Sequence, residues 1–345
     1  MTALPPAFPD PSLARVYGDA FELVGNTPLV RVNRIAAGLP AEVYVKLDQH
    51  NLGGSSKDRI GINIVREAIA SGDLKPGDRI IDFGAGNTAI GYALAGIATG
   101  HPVTAVAAPT LSPAKASLLR LLGADIVPGR PDVPKDDPEH WGVIAARYEN
   151  EDPGTWWARQ ESNDTNPAAH ALSTGPEIWE QTDGRVTHFV AALATGGTAT
   201  GTGRYLKGRN PEVTVIGTAF DDTPVGRGEN NLARAVAGED GLEEDWSPNI
   251  DVQVLDRLEL REKAEIIAFG WHVARTEGLV LGPSSILSLQ VALELAAQAP
   301  EGSVVVSFSA DSGRDYLQRE YDPAWLRENE LGHVADRVAP VGEPV

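Results

Sequence analysis

The feature that most constrains the fold of this chain is a repeated alternation of short apolar runs with helical patterns. AEVYVKL (41–47), DRIIDF (78–83), PVTAVAA (102–108) and ADIVPG (124–129) read as strands. Between them, DRIGINIVREAIASG (58–72) reads as an amphipathic helix ended by Gly72, and AIGYALAGIATG (89–100) as an Ala-rich helix that must pack closely. SPAKASLLRLLG (112–123) is a helix with Pro113 just inside its start, where a missing N–H costs least. The second half repeats the grammar. THFVAAL, VTVIGTAF and SVVVSFSA read as strands, and LREKAEIIAFGWHVARTEG (260–278) and ILSLQVALELAAQ (286–298) as helices. This alternation predicts an α/β fold with two open, twisted, mostly parallel sheets and flanking helices. The stretches 127–158 and 220–249 are the least regular, and from about 322 onward the charged, Pro-containing chain reads as a tail.

Bulk properties narrow the function classes. The chain has 345 residues, enough for more than one domain. It contains no cysteine, which excludes disulfides, thiolate metal sites and cysteine nucleophiles. Its net charge of −19 argues against nucleic acid and anionic membrane as partners, and otherwise serves solubility. No run approaches the roughly 18 apolar residues of a membrane span. The N-terminal MTALPPAFPDPSLARVYGDAF lacks a basic segment followed by an apolar one, so a cytoplasmic protein is expected. The histidines show no metal-binding spacing, and no metal is expected.

In α/β sheets, ligands bind at the carboxyl ends of strands, in the turns that lead into helices. Four such turns are unusual: NLGGSSKDR (51–59), GAGNTA (84–89), ATGGTATGTG (194–203) and SADSG (309–313). In the third, glycines let backbone N–H groups converge, the helix dipole adds positive potential and threonine hydroxyls donate further bonds, which suits a phosphate. A turn needing positive φ and tight helix packing would look the same. Lys57 stands between a Gly-rich turn and an amphipathic helix. Other lysines read as surface groups, Lys115 among them, while Lys46 lies inside a strand. A helix N-terminus disfavours a lysine cation, so Lys57 reads either as an activated amine or as an exposed first-turn lysine. A phosphate turn paired with an activated lysine is what pyridoxal phosphate requires.

Taken in order, these segments resemble the cysteine synthase and cystathionine β-synthase family of fold type II pyridoxal-phosphate enzymes. The resemblance runs from GNTPLVRVNR (25–34) to DSGRDYL (311–317), through AEVYVKLDQHNLGGSSKDRIG, GAGNTAIGYALA, ESNDTNPAAHALSTGPEIWEQT, LATGGTATGTGRYLK and EGLVLGPSS. It implies that Lys57 holds the cofactor and shuttles the α-proton. Ala194, Thr195, Gly196, Gly197 and Thr198 would cradle the phosphate. Asn87 would bond the ring oxygen and Ser312 would face the pyridine nitrogen. Gly84, Ala85, Gly86, Thr88 and Gln160 would meet the substrate. A smaller α/β domain over 51–160, a larger one formed by 1–50 plus 161–325, and a tail over 326–345 are the expected organisation, with a homodimer as the assembly.

Departures from the family cluster on the substrate side. The loop that usually reads T-S-G-N-T-G is here Gly84-Ala85-Gly86-Asn87-Thr88-Ala89, so two hydroxyls are gone. Ile286 replaces a glycine after Gly282-Pro283-Ser284-Ser285. Arg227, between two glycines, is a candidate for an anionic substrate group, or an exposed surface arginine. The expected function is β-replacement on an activated serine, O-acetylserine or O-phosphoserine, through an aminoacrylate, in a specialised member with an amino-acid substrate and a second nucleophile. Alternatives are a β-eliminase acting on a different amino acid and a non-catalytic cofactor-binding homologue.

Overall fold

The computed structural model describes residues 16–84 and 86–338. In chain order its elements are β1 (Leu29–Arg31), β2 (Glu42–Leu47), α1 (Lys57–Ser71), β3 (Arg79–Gly84), α2 (Asn87–Thr99), β4 (Val103–Ala107), α3 (Pro113–Leu121), β5 (Asp125–Pro128), α4 (Trp141–Glu151) and β6 (Thr155–Trp157). There follow α5 (Thr165–Leu172), α6 (Thr174–Gln181), β7 (His188–Ala192), α7 (Gly197–Arg209), β8 (Thr214–Phe220), α8 (Leu232–Val236) and β9 (Arg257–Arg261). The chain continues through α9 (Lys263–Glu277), α10 (Pro283–Ala296), β10 (Val304–Ser309), α11 (Pro323–Glu328) and α12 (Gly332–Val338).

The strands form two sheets, as the alternation predicts. One is all parallel in the order β5-β4-β3-β6. The other runs β1-β2-β10-β7-β8-β9, parallel except for β1 against β2. Parallel sheets are covered on both faces, so their inner strands are apolar throughout. All six residues of β10 are buried for this reason. Three strands lie where no strand pattern was read: β1 and β6 have three residues each, and β9 (RLELR) alternates charged and apolar residues ahead of a helix. The stretch read as a tail is a correction. Leu326, Val334, Ala335 and Val338 bury an apolar face against Ala264 and Ile267 of α9.

Two local constraints place the site. The first is the crossing of α1 and α2. A Cβ on Gly61 would stand 2.4 Å from the Gly91 carbonyl carbon, and one on Gly91 would stand 2.3 Å from the Lys57 carbonyl oxygen. Only hydrogens fit there, so the two backbones touch. The second is a buried cluster of four charges. The Arg59 guanidinium donates to both carboxylate oxygens of Asp48 at 2.8 and 2.9 Å, and to both of Glu177 at 2.6 and 2.8 Å. Lys46 Nζ lies 2.7 Å from Glu177 Oε2. This ties α1 to the end of β2 and to α6. Burial pushes the Glu177 carboxyl up, but Arg59 and Lys46 outweigh it and hold its pKa down to about 2.

Replacing Gly91 by Ala must push α1 and α2 apart; we expect a loss of ~1–3 kcal/mol in urea unfolding, as for other overpacked cores. Glu177 contributes stability that is present above its unfolded value of 4.5 and is lost as pH falls through the window down to about 2. A Glu177→Gln variant should therefore lower Tm at neutral pH and flatten the fall of Tm across that acid window. An unchanged acid limb would contradict this.

Candidate active site

Lys57 is the first residue of α1 and follows the 51–56 loop. That loop is anchored by Ser56 N–H donating to the Ala310 carbonyl at 2.8 Å, just beyond β10. The side chain faces a cavity of about 210 Å³ whose lining includes Asn87, Ala194, Thr195, Gly196, Thr198 and Ser284. A second chamber of about 580 Å³ shares Lys57, Asn87, Ala194 and Thr195 and extends to Gly84, Thr88 and Gln160. Burial pulls the Lys57 pKa below the ordinary lysine value; Asp311 and Asp48 act in the opposite direction. Its amine is therefore easier to deprotonate than that of a solvated lysine. The reading of Lys57 as an exposed first-turn residue does not hold.

The 194–198 turn leads from β7 into α7. Gly196 has φ +84, and a Cβ there would stand 2.1 Å from Ile250 Cγ1. A Cβ on Gly197 would stand 1.9 Å from Asn166 Oδ1. Both features proposed for this turn, positive φ and tight packing, are present. The first N–H groups of a helix have no partner within it. Those at the start of α7 supply the donors a phosphate needs. Thr198 Oγ1 stands 3.1 Å from His170 Nε2, whose ring burial keeps neutral with a pKa near 3. Asn166 Nδ2 donates to Thr195 Oγ1 at 3.2 Å.

The residues expected at the substrate include a linked pair. Thr88 Oγ1 donates to Gln160 Oε1 at 2.6 Å, and Gln160 Nε2 donates to the Phe83 carbonyl at 2.6 Å. These bonds fix the amide orientation of Gln160. A Cβ on Gly84 would lie 2.9 Å from Gln160 Nε2, so the missing side chain makes room for that amide. Gly86 caps α2 with φ +113 and packs near Leu111 and Lys115. Ala85 lies outside the described residues.

Two expected site residues do not join the cavity. Ser312 lines a separate cavity with Arg314 and Asp315, and its hydroxyl accepts from Arg314 N–H at 3.2 Å. Ser284, at the start of α10, stands in the Lys57 cavity instead. Arg227 is half-exposed and is held by its own neighbours, donating to Glu229 Oε1 at 2.6 Å and to the Asp222 carbonyl. Its pairing two residues along the chain keeps it at the surface.

Sequence reasoning missed several residues that the fold delivers. Asp311 and Tyr316 line the inner cavity; both lie in a segment that carries the resemblance. Lys115, read as a surface lysine, lines the outer chamber and stands 3.7 Å from Asp315 Oδ2. Trp141 walls the same chamber and stacks on Phe83 with ring centroids 4.8 Å apart. Among the described residues, no helix is long and apolar enough to cross a membrane.

The residues present fit pyridoxal phosphate. They supply an amine of lowered basicity, a Gly-Gly turn on a helix N-terminus that no Cβ could enter, an amide donor at Asn87 and a hydroxyl at Ser284. Comparison with known proteins agrees. A family described as "Pyridoxal-phosphate dependent enzyme" matches residues 20–311. The chain is 36% identical over 317 residues to cystathionine β-synthase of Rattus norvegicus, covering 90% of this chain and 56% of that protein. It is 33% identical over 320 residues to cysteine synthase 1 of Neurospora crassa, covering 89% of this chain and 84% of that protein. The chain therefore spans about half the length of some curated relatives and most of others. A solved structure described as an O-acetylserine-dependent cystathionine β-synthase from Helicobacter pylori superposes with a TM-score of 0.78 and 28% identity, covering 89% of this chain and 99% of that one. The motifs, the two-sheet fold and the match across most of its length together make this chain a member of the pyridoxal-phosphate-dependent enzyme family, on the cysteine synthase and cystathionine β-synthase side of it.

Proposed function

We propose that the protein catalyses β-replacement on an activated serine, such as O-acetylserine or O-phosphoserine. The observation that carries this reading is the convergence on one cavity of Lys57, Asn87 and the 194–198 turn, with Thr88 and Gln160 at its open end. The family relationship to cysteine synthase 1 and to an O-acetylserine-dependent enzyme supports the substrate class. Bound pyridoxal phosphate supplies an electron sink for the bond to the substrate's α-hydrogen.

The chain's own residues divide the remaining work. The α7 N-terminus and Thr198 would hold the phosphate, and Asn87 the ring oxygen. Ser284 is our reading for the group at the pyridine nitrogen, in place of Ser312. A neutral hydroxyl there leaves that nitrogen largely unprotonated, which favours loss of a β-leaving group over transamination. The Lys57 amine takes the α-proton, and its lowered basicity leaves more of it unprotonated than a solvated lysine would be. The Cβ–O bond breaks and acetate or phosphate departs with its electron pair, and a sulfide, thiol or amine nucleophile then adds at Cβ. The second amide N–H of Gln160 and the N–H groups at the start of α2 would receive the substrate carboxylate, with the Thr88 hydroxyl holding that amide in place. Gly84 and Ala85 bring no hydroxyls, so that end has fewer donors. This favours a specialised substrate choice, and it keeps β-elimination as the second reading.

Product analysis with and without added sulfide or thiol separates the two. Replacement is expected: a new β-substituted amino acid that appears only with the nucleophile. Pyruvate and ammonia at the same rate in both cases would make the protein an eliminase. Turnover of neither O-acetylserine nor O-phosphoserine would overturn the substrate assignment. Loss of the Thr88 hydroxyl frees the Gln160 amide to turn and should cost ~10-fold in kcat/KM, the worth of about one hydrogen bond. A Thr88→Ala variant at wild-type kcat/KM would remove Thr88 from the substrate site.

A further inference from the structure

Asp311 is buried, 3% exposed, and none of the roles above uses it. It follows β10 of the six-stranded sheet. Its Oδ2 accepts two hydrogen bonds, from Asn87 Nδ2 at 2.9 Å and from Tyr316 Oη at 2.8 Å. Its Oδ1 is buried with no hydrogen-bond partner. A Cβ on Gly282 would lie 2.0 Å from that oxygen, so the chain keeps a glycine where the carboxylate sits. A buried carboxylate is costly unless something nearby uses its charge.

We infer that Asp311 is a positioning residue that fixes the side-chain amide of Asn87 for the cofactor. This rests on the reading of Asn87 as the ring-oxygen donor. An ionised carboxylate can only accept, so the Asn87 side chain must turn its NH2 group toward Asp311. One N–H is spent on Asp311 and the second remains for the cavity. With the amide reversed, its oxygen would face the electron-rich ring oxygen and repel it. Tyr316 holds Asp311 through the phenol, whose pKa burial and the same carboxylate push up, so it stays a donor. The bond also crosses between halves of the molecule. Asn87 opens α2 over the four-stranded sheet, and Asp311 follows a strand of the other. The same carboxylate faces Lys57, where its charge opposes the effect of burial; Asp48, Asp58 and Lys115 are the other charged groups acting on that amine.

The test uses the holoenzyme and four proteins: wild type, Asn87→Ala, Asp311→Asn, and the double variant. The readouts are the position of the bound cofactor's visible band, its dependence on pH, the rate of cofactor dissociation and Tm. An asparagine at 311 can donate as well as accept, so it no longer dictates the orientation of Asn87. We expect Asp311→Asn to shift the band and to speed cofactor release about tenfold, as for loss of one charge-assisted bond. The double variant should release the cofactor no faster than Asn87→Ala alone, because Asp311 acts through Asn87. Tyr316→Phe should give a smaller shift in the same direction, and serves if Asp311→Asn fails to fold. Multiplicative effects in the double variant, or a wild-type band and release rate in both Asp311→Asn and Tyr316→Phe, would overturn the inference. A wild-type protein without any cofactor band would instead defeat the reading of the cavity as the cofactor site.

Discussion

The contact between Gly91 and the Lys57 carbonyl is the constraint on which the site depends. Two helices can approach this closely only where both lack side chains, and Gly61 and Gly91 meet at that crossing. Gly91 lies one helical turn beyond Asn87, so the contact sets the start of α2 beside the start of α1. The first residue of one helix is Lys57 and the first of the other is Asn87. Their side chains therefore reach a common cavity without any long loop to place them. The start of α2 also brings N–H groups that have no partner within their helix to the same region, and α7 brings a second set.

This pair of helices belongs to the four-stranded half, and the cofactor turn belongs to the six-stranded half. Two polar links hold them in register. The Arg59–Asp48–Glu177–Lys46 cluster ties α1 to the end of β2 and to α6. Buried ion pairs of this kind add little net stability over apolar packing, but removing one partner leaves a charge stranded. Their service here is geometric. They fix the direction of α1, and with it the direction in which Lys57 points. The Asn87–Asp311 bond makes the second link at the cavity itself.

Much of this was legible in the sequence. Apolar runs of six to eight residues with clear turn signals became strands within a residue or two. Lys57, Asn87 and the Thr195–Thr198 turn stood out because each lies where a strand or loop enters a helix, in an order that the family keeps, and the fold brings them to one cavity. What stayed hidden followed from features that periodicity does not encode. Two serines each follow a conspicuous turn, and only the folded chain shows that Ser284 lines the cavity of Lys57 while Ser312 lines another. Lys115 sits at a position on α3 that suits solvent, yet the fold lays the start of that helix against the outer chamber. Arg227 looked available because its glycine neighbours suggested a loop over the pocket. Its Glu229 partner, two residues on, keeps it at the surface. The helices from Pro323 onward carry enough charge to read as a tail, while Leu326, Val334, Ala335 and Val338 pack against α9.

The most direct test of the account is a peptide map of the purified protein after borohydride reduction, which converts a cofactor–lysine linkage into a stable amine. The account predicts one phosphopyridoxyl group per chain, carried by the peptide that contains Lys57. Label on Lys46 or Lys115, or no label in a protein saturated with pyridoxal phosphate, would contradict it.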